Sequence, residues 1–178
     1  FYWIAIGKNW EEVDKLNELV KKKTPEELFR RTKDYWELWV HKNCLREDLL
    51  PSKVVTLYKK SLLICRTQIN QCGSIIAGND SDAVQFNRDT YSYMWPRDGS
   101  LVAYALDLAG YDASSFYHFC GKIIEKGGYF LHKYTPSGAL GSSWHPWLKG
   151  GKPQLPIQED ETALVIWALW NHYQIYKD

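Results

Sequence analysis

Tyr91-Ser-Tyr-Met-Trp-Pro-Arg-Asp98, running on into Gly-Ser-Leu-Val-Ala-Tyr-Ala-Leu-Asp-Leu-Ala-Gly-Tyr-Asp112, is the stretch on which the fold turns. Alternate residues of an extended segment share one face, so Tyr91, Tyr93 and Trp95 can point the same way. Pro96 disfavours helical backbone at Trp95 and suits the first turn of a helix itself. The Arg97–Asp98 pair therefore opens a helix beside aromatic rings. The apolar spacing carries that helix from Pro96 to Leu108, with Gly110 as a left-handed stop. A new helix starts after Asp112, a good N-cap, and ends at Gly127-Gly128. A connection as short as Gly110-Tyr-Asp112 demands an antiparallel neighbour.

Outward from this hairpin the chain remains helical. Pro51 to Gln71 places Val54, Leu57, Tyr58, Ser61, Leu62 and Cys65 at helical spacing, with Gly73 as the stop. A last helix runs from about Gln158 to Tyr176 with Leu164, Trp167, Ala168 and Tyr173 among its apolar positions. The connections Gly73 to Trp95 and Gly127 to Ile157 are long. If successive helices alternate up and down, both long loops emerge at one end. Those loops hold the unusual chemistry: Asn79-Asp-Ser-Asp82, Tyr91 to Asp98, Trp144-His-Pro-Trp147, and Gln158 to Glu161. Simple helices under one elaborated rim are the arrangement of an α/α toroid with its site at one mouth; an irregular helical bundle is the alternative. The fold class expected is all-α, a partial (α/α)6 toroid made of its first hairpins.

Two further helices precede it. Asn9 with Glu12 reads as a capping box, and Thr24-Pro-Glu-Glu27 repeats the start signal with proline at the first helical position. Residues 9–48 thus read as a helical linker, with two ordinary domain helices as the alternative, and residues 49–178 as the incomplete toroid. Phe1-Tyr-Trp-Ile-Ala-Ile6 has the make-up of a strand but no neighbour to pair with, so residues 1–8 read as the remnant strand of a preceding β domain. The first residue is not methionine and the sole methionine is Met94, which points to part of a larger protein.

Composition narrows the function classes. The 178 residues suffice for a buried core. With 22 basic and 21 acidic residues, well mixed, the net charge is +1, which argues against nucleic acid or a membrane surface as partner. No apolar run reaches the roughly 20 residues that span a bilayer. The four cysteines, Cys44, Cys65, Cys72 and Cys120, lack metal spacing, and no signal peptide is visible. They read as reduced thiols of a cytoplasmic protein. The five histidines form no HExxH pair. Asp80 and Asp82 open like a calcium loop, but Gln85 stands where glycine is needed and no glutamate closes it at 91. No metal and no cofactor is expected. Asn79-Asp-Ser81 is a glycosylation sequon, meaningful only in a secreted protein. Aromatics make up 15%, including nine tryptophans. A guanidinium fork and a carboxylate beside flat apolar rings suit a sugar, whose hydroxyls need donors and acceptors and whose C–H faces stack on rings. A tryptophan-rich core with a surface ion pair is the plainer reading.

The run Ser92-Tyr-Met-Trp-Pro-Arg-Asp-Gly-Ser-Leu101 resembles the signature of the glucoamylase family of inverting glycoside hydrolases. Ala77-Gly-Asn-Asp-Ser-Asp82, Ser143-Trp-His-Pro-Trp147 and Pro156-Ile-Gln-Glu-Asp-Glu-Thr-Ala163 are similar to the motifs of its prokaryotic, glucodextranase-like branch. The similarity covers roughly Leu50 to Tyr176. It implies an N-terminal β-sandwich, a helical linker and an α/α catalytic barrel. It implies further that Arg97 and Asp98 hold hydroxyls of the terminal glucose, that Tyr91 lies beside the sugar being cleaved, and that Trp95 shapes its pocket. Trp144 corresponds to a tryptophan that closes over the substrate, and Gln158 and Asp160 to polar residues bracing the rim. For this last pair an N-cap cluster on the final helix is the alternative.

Inverting hydrolysis needs a general acid and a base standing about 6.5–9.5 Å apart. Glu161, flanked by Glu159 and Asp160, is the fallback acid here, because clustered carboxylates raise one another's pKa. The loop order of the resembling family instead puts both catalytic carboxylates downstream of Asp178. The implied activity is exo-acting release of glucose from non-reducing ends of α-glucans or maltooligosaccharides, without a cofactor. The missing remainder of the toroid and the β domain would be its structural partners. A non-catalytic glycan-sensing relative, or an enzyme acting on α-1,6-glucan or trehalose, is the alternative.

Overall fold

The computed structural model describes residues 2–43, 46–79, 90–141 and 148–177. The chain divides into two compact units, Phe1–Leu49 and Leu50–Asp178.

The first unit holds helices α1 (Trp10–Lys22) and α2 (Pro25–Val40) and the short 3-10 turn Glu47–Leu49. Both helices start as their residues dictate. Asn9 Oδ1 accepts the Glu12 N–H at 2.9 Å, and Glu12 reaches back to the Lys8 N–H at 2.7 Å, one residue before the usual capping-box partner. Thr24 Oγ1 accepts the Glu27 N–H, with Pro25 at the first helical position. Of all the residues in these two helices, Val40 alone is buried. Residues 2–7 lie in no ladder with the other described residues, and Trp3 Nε1 donates to Asn17 Oδ1 at 2.8 Å. A strand is stable only when its backbone groups find a partner.

The second unit contains α3 (Ser52–Thr67), α4 (Pro96–Leu108), α5 (Ser114–Ile123) and α6 (Glu159–Tyr176). A small hairpin pairs β1 (Leu148–Lys149) with β2 (Lys152–Pro153). Gly150 and Gly151 turn it with φ of 57° and 74°, the double left-handed turn that glycine pairs favour. Helix α3 stops earlier than its periodicity suggests. Its exit folds back through the Ile69–Ile75 bridge around Gly73, whose φ is 96° and whose absent Cβ would stand 2.0 Å from the Ser115 carbonyl oxygen. Helix α5 is shorter too. Its backbone turns extended at Ile124, and Asp112 serves the first turn from one residue further out, accepting the Ser114 N–H at 2.8 Å.

Three contacts fix the direction of α6 against α4. Arg97 meets Glu161 at one end, the Tyr104 and Trp167 rings stand 4.5 Å apart midway, and Asp107 meets His172 at the other end. The sequence separation stays nearly constant along the pair, so α4 and α6 run parallel, with α5 returning between them. The described helices make the chain all-α apart from the small hairpin. One antiparallel hairpin followed by a parallel helix is common to a ring of hairpins and to a helical bundle. The core joins Met94, Ala103, Phe116, Phe119, Phe130, Tyr134, Val165 and Ala168.

Asp107 ties the far end of this packing. Its Oδ1 accepts the Ala113 N–H at 2.9 Å, and its Oδ2 accepts from the Tyr117 hydroxyl at 3.1 Å and pairs with His172 Nδ1 at 3.0 Å. Burial pushes the Asp107 carboxyl above its ordinary range against the pull of these partners. Removing the carboxylate strands three donors inside the core. Asp107→Ala is therefore expected to lower unfolding free energy by about 3–5 kcal/mol in a urea titration.

Helix α6 is apolar on all sides, yet Ile166 and Trp170 are about three-fifths exposed. A helix of that composition is normally covered. The purified chain is expected to self-associate with rising concentration in light scattering, and the Ile166→Lys/Trp170→Lys double variant to remain monomeric with an unchanged melting temperature.

Candidate functional site

The site begins at the entry to α4. Trp95 is extended, as the following proline requires, and offers no side-chain cap. Pro96 has no N–H, so the first backbone donor of the helix belongs to Arg97. Glu161, in the first turn of α6, supplies the missing acceptor: its Oε2 takes the Arg97 N–H at 2.6 Å. One carboxylate thus joins the N-termini of two parallel helices.

The Arg97 side chain is held from the same helix. Its Nη1 donates to Gln158 Oε1 at 2.7 Å and to Asp160 Oδ2 at 3.2 Å, and lies 3.8 Å from Glu161 Oε1. Nη2 stands 3.3 Å from Asp98 Oδ2, within ion-pair distance but outside hydrogen-bond alignment. Burial disfavours the cation, but Asp160, Glu161 and Asp98 together hold its pKa above the ordinary arginine value. The Arg97 side chain remains about one-third exposed and that of Asp98 about two-fifths, while Asp98 Oδ2 itself is buried without a hydrogen bond. A braced guanidinium and a carboxylate therefore stand side by side at the partly exposed start of the helix.

The aromatic residues sort themselves by depth. Trp95 is buried, with Tyr91 at 6.1 Å, Tyr93 at 6.3 Å and His132 at 6.2 Å between ring centroids. Tyr91 is exposed and leans on Trp95. Arg97, Asp98, Gln158 and Asp160 thus share one set of polar contacts and Tyr91 and Trp95 a ring contact, while Trp144 lies outside the described residues, as do Asp80, Asp82 and Cys44. His132 and Lys133 escaped the sequence reading. They follow an apolar residue in the long connection between α5 and α6 and match no motif, and the Met94–Tyr134 pairing is a tertiary contact that brings them against Trp95.

Among the described residues, Asp107, Asp112 and His172 bring one ligand atom each within 4.8 Å of one another. Both Asp107 oxygens already serve Ala113, Tyr117 and His172, so a cation there would have to displace those bonds. No helix among the described residues is long and apolar enough to cross a membrane.

Glu161 is wholly buried, which pushes its carboxyl up to about 8; the Arg97 N–H and guanidinium pull it down, and the neighbouring Asp98 and Asp160 push it further up. The neutral acid is thereby favoured in the fold. Its contribution to stability is full below the ordinary value of 4.5 and is lost as pH rises through about 8. The urea midpoint is expected to fall across that window. Glu161→Gln, which keeps an oxygen for the Arg97 N–H, is expected to flatten the profile. An unchanged slope in that variant assigns the titration to another group.

The chain is 31% identical over 130 residues to a protein of Methanocaldococcus jannaschii described as an uncharacterized glycosyl hydrolase. The match takes in 71% of this chain but spans only 18% of the relative's length. No protein-family profile and no solved structure matches the chain.

Proposed function

We propose that this chain carries the sugar-holding part of a glycoside hydrolase of the glucoamylase type, which releases glucose from non-reducing ends of α-glucans with inversion. The observation that carries the reading is the partly exposed Arg97–Asp98 pair, with Arg97 braced by Gln158 and Asp160, directly after the Trp95 ring on which the exposed Tyr91 leans. The guanidinium donates to adjacent sugar hydroxyls while the Asp98 carboxylate accepts from them. Because the fork is already fixed by its partners, little side-chain freedom is lost on binding. Tyr91 offers its face to the C–H groups of the ring, and Trp95 supports it from below. The similarity to the archaeal glycosyl hydrolase and the resemblance to glucoamylases point to the same substrate class.

Glu161 takes a positioning part in this reading. Its Oε2 is committed to the Arg97 backbone, and its side chain is shut off from solvent. The general acid and base then belong to other parts of the enzyme, with residues 9–48 as the helical linker and residues 49–178 as the front of the catalytic domain. Trp144 is assigned to closure over the bound sugar.

Binding tests this directly. Maltotetraose is expected to bind the chain in a calorimetric titration, and cellotetraose, its β-linked counterpart, not to bind. Asp98→Asn and Arg97→Lys are each expected to weaken binding ten- to a hundred-fold, the span of about 1.5–3 kcal/mol for a hydrogen bond to a charged group. Affinity in both variants equal to that of the unaltered chain would remove Arg97 and Asp98 from the site.

A further inference from the structure

His132 and Lys133 are consecutive, and both are buried, 2% and 0% exposed. Their backbone is held by main-chain hydrogen bonds. Met94 and Tyr134 exchange two hydrogen bonds of 2.8 Å, the His132 N–H donates to the Pro156 carbonyl, and Gly141 N–H donates to the Lys133 carbonyl at 2.9 Å. From this frame His132 Nε2 stands 3.1 Å from Trp95 Nε1. An indole N–H can only donate, so Nε2 must present its lone pair, which places the proton of the neutral imidazole on Nδ1. The Lys133 ammonium lies 4.5 Å from the Tyr93 ring centre and 5.2 Å from that of Trp95, within cation–π range. Trp95 is thus gripped at its N–H edge and on a ring face, and Tyr91 rests on it.

We propose that His132 is a positioning residue of the sugar site: by accepting the Trp95 indole N–H it fixes the ring on which Tyr91 is seated. The inference rests on the sugar-binding reading above. A side chain that merely fills this space could be replaced by any other of similar size. One that orients the indole must keep an acceptor at the Nε2 position. His132 itself never touches sugar; its effect passes through Trp95 to Tyr91.

The test compares the unaltered chain with His132→Leu, His132→Gln and Trp95→Phe. Maltotetraose affinity is read by calorimetry, and the Trp95 indole N–H by its proton–nitrogen NMR signal, assigned through its loss in Trp95→Phe. His132→Leu is expected to weaken binding about tenfold and to move the indole signal upfield. His132→Gln, whose amide oxygen can accept, is expected to restore most of both. Trp95→Phe, which removes the donor and leaves His132 in place, is expected to weaken binding to a similar degree; it carries the test should His132→Leu not fold. Unchanged affinity in His132→Leu or in Trp95→Phe overturns the proposal, as does equal loss in the Leu and Gln variants, since shape would then be what counts. If the unaltered chain binds no maltotetraose, the sugar reading falls and this inference with it. Binding that survives in His132→Leu overturns this inference alone.

Discussion

The hydrogen bond from the Arg97 backbone to Glu161 is the constraint on which the rest of the second unit depends. Proline at the first position of α4 leaves that helix without a side-chain cap of its own, and the acceptor comes instead from the first turn of α6. Once the two N-termini share a carboxylate, the helices must run parallel with their starts at one end. Everything that follows Trp95 and everything around Gln158 is then delivered to the same edge. The Asp107–His172 pair makes the corresponding tie at the other end, about ten residues or roughly 15 Å along α4.

This arrangement also explains why the site is charged yet ordered. One guanidinium is shared among Asp98, Asp160 and Glu161. The deepest carboxylate, Glu161, bears the cost of burial and is held close to neutrality at ordinary pH. Asp98 and Asp160 stay near solvent. The division follows depth: a buried acid that joins helices, a half-buried cation that is braced, and carboxylates that reach toward solvent. The rings obey the same rule, with Trp95 beneath and Tyr91 above.

Much of this is written locally in the chain. The caps at Asn9 and Thr24, the proline start of α4 and the glycine after its end are governed by neighbours within four residues, so they can be read without a fold. The aromatic residues before Arg97 were legible for the same reason, since alternation along an extended segment is a local property. The early end of α3 was not, because it depends on Gly73 packing against the backbone of Ser115, far along the chain.

By itself, then, the sequence determined the helical class, the helix starts and the tight antiparallel turn between α4 and α5. Those are consequences of backbone sterics and short-range hydrogen bonding. Only the tertiary structure decided which side chains are buried and which face outward. It made Glu161 a cap for another helix, sank Trp95 while leaving Tyr91 exposed, and brought His132 and Lys133 against an indole nearly forty residues away. The physical reason is that burial and pairing are set by chain segments remote in sequence, and the chemistry of a carboxyl or a ring changes with both.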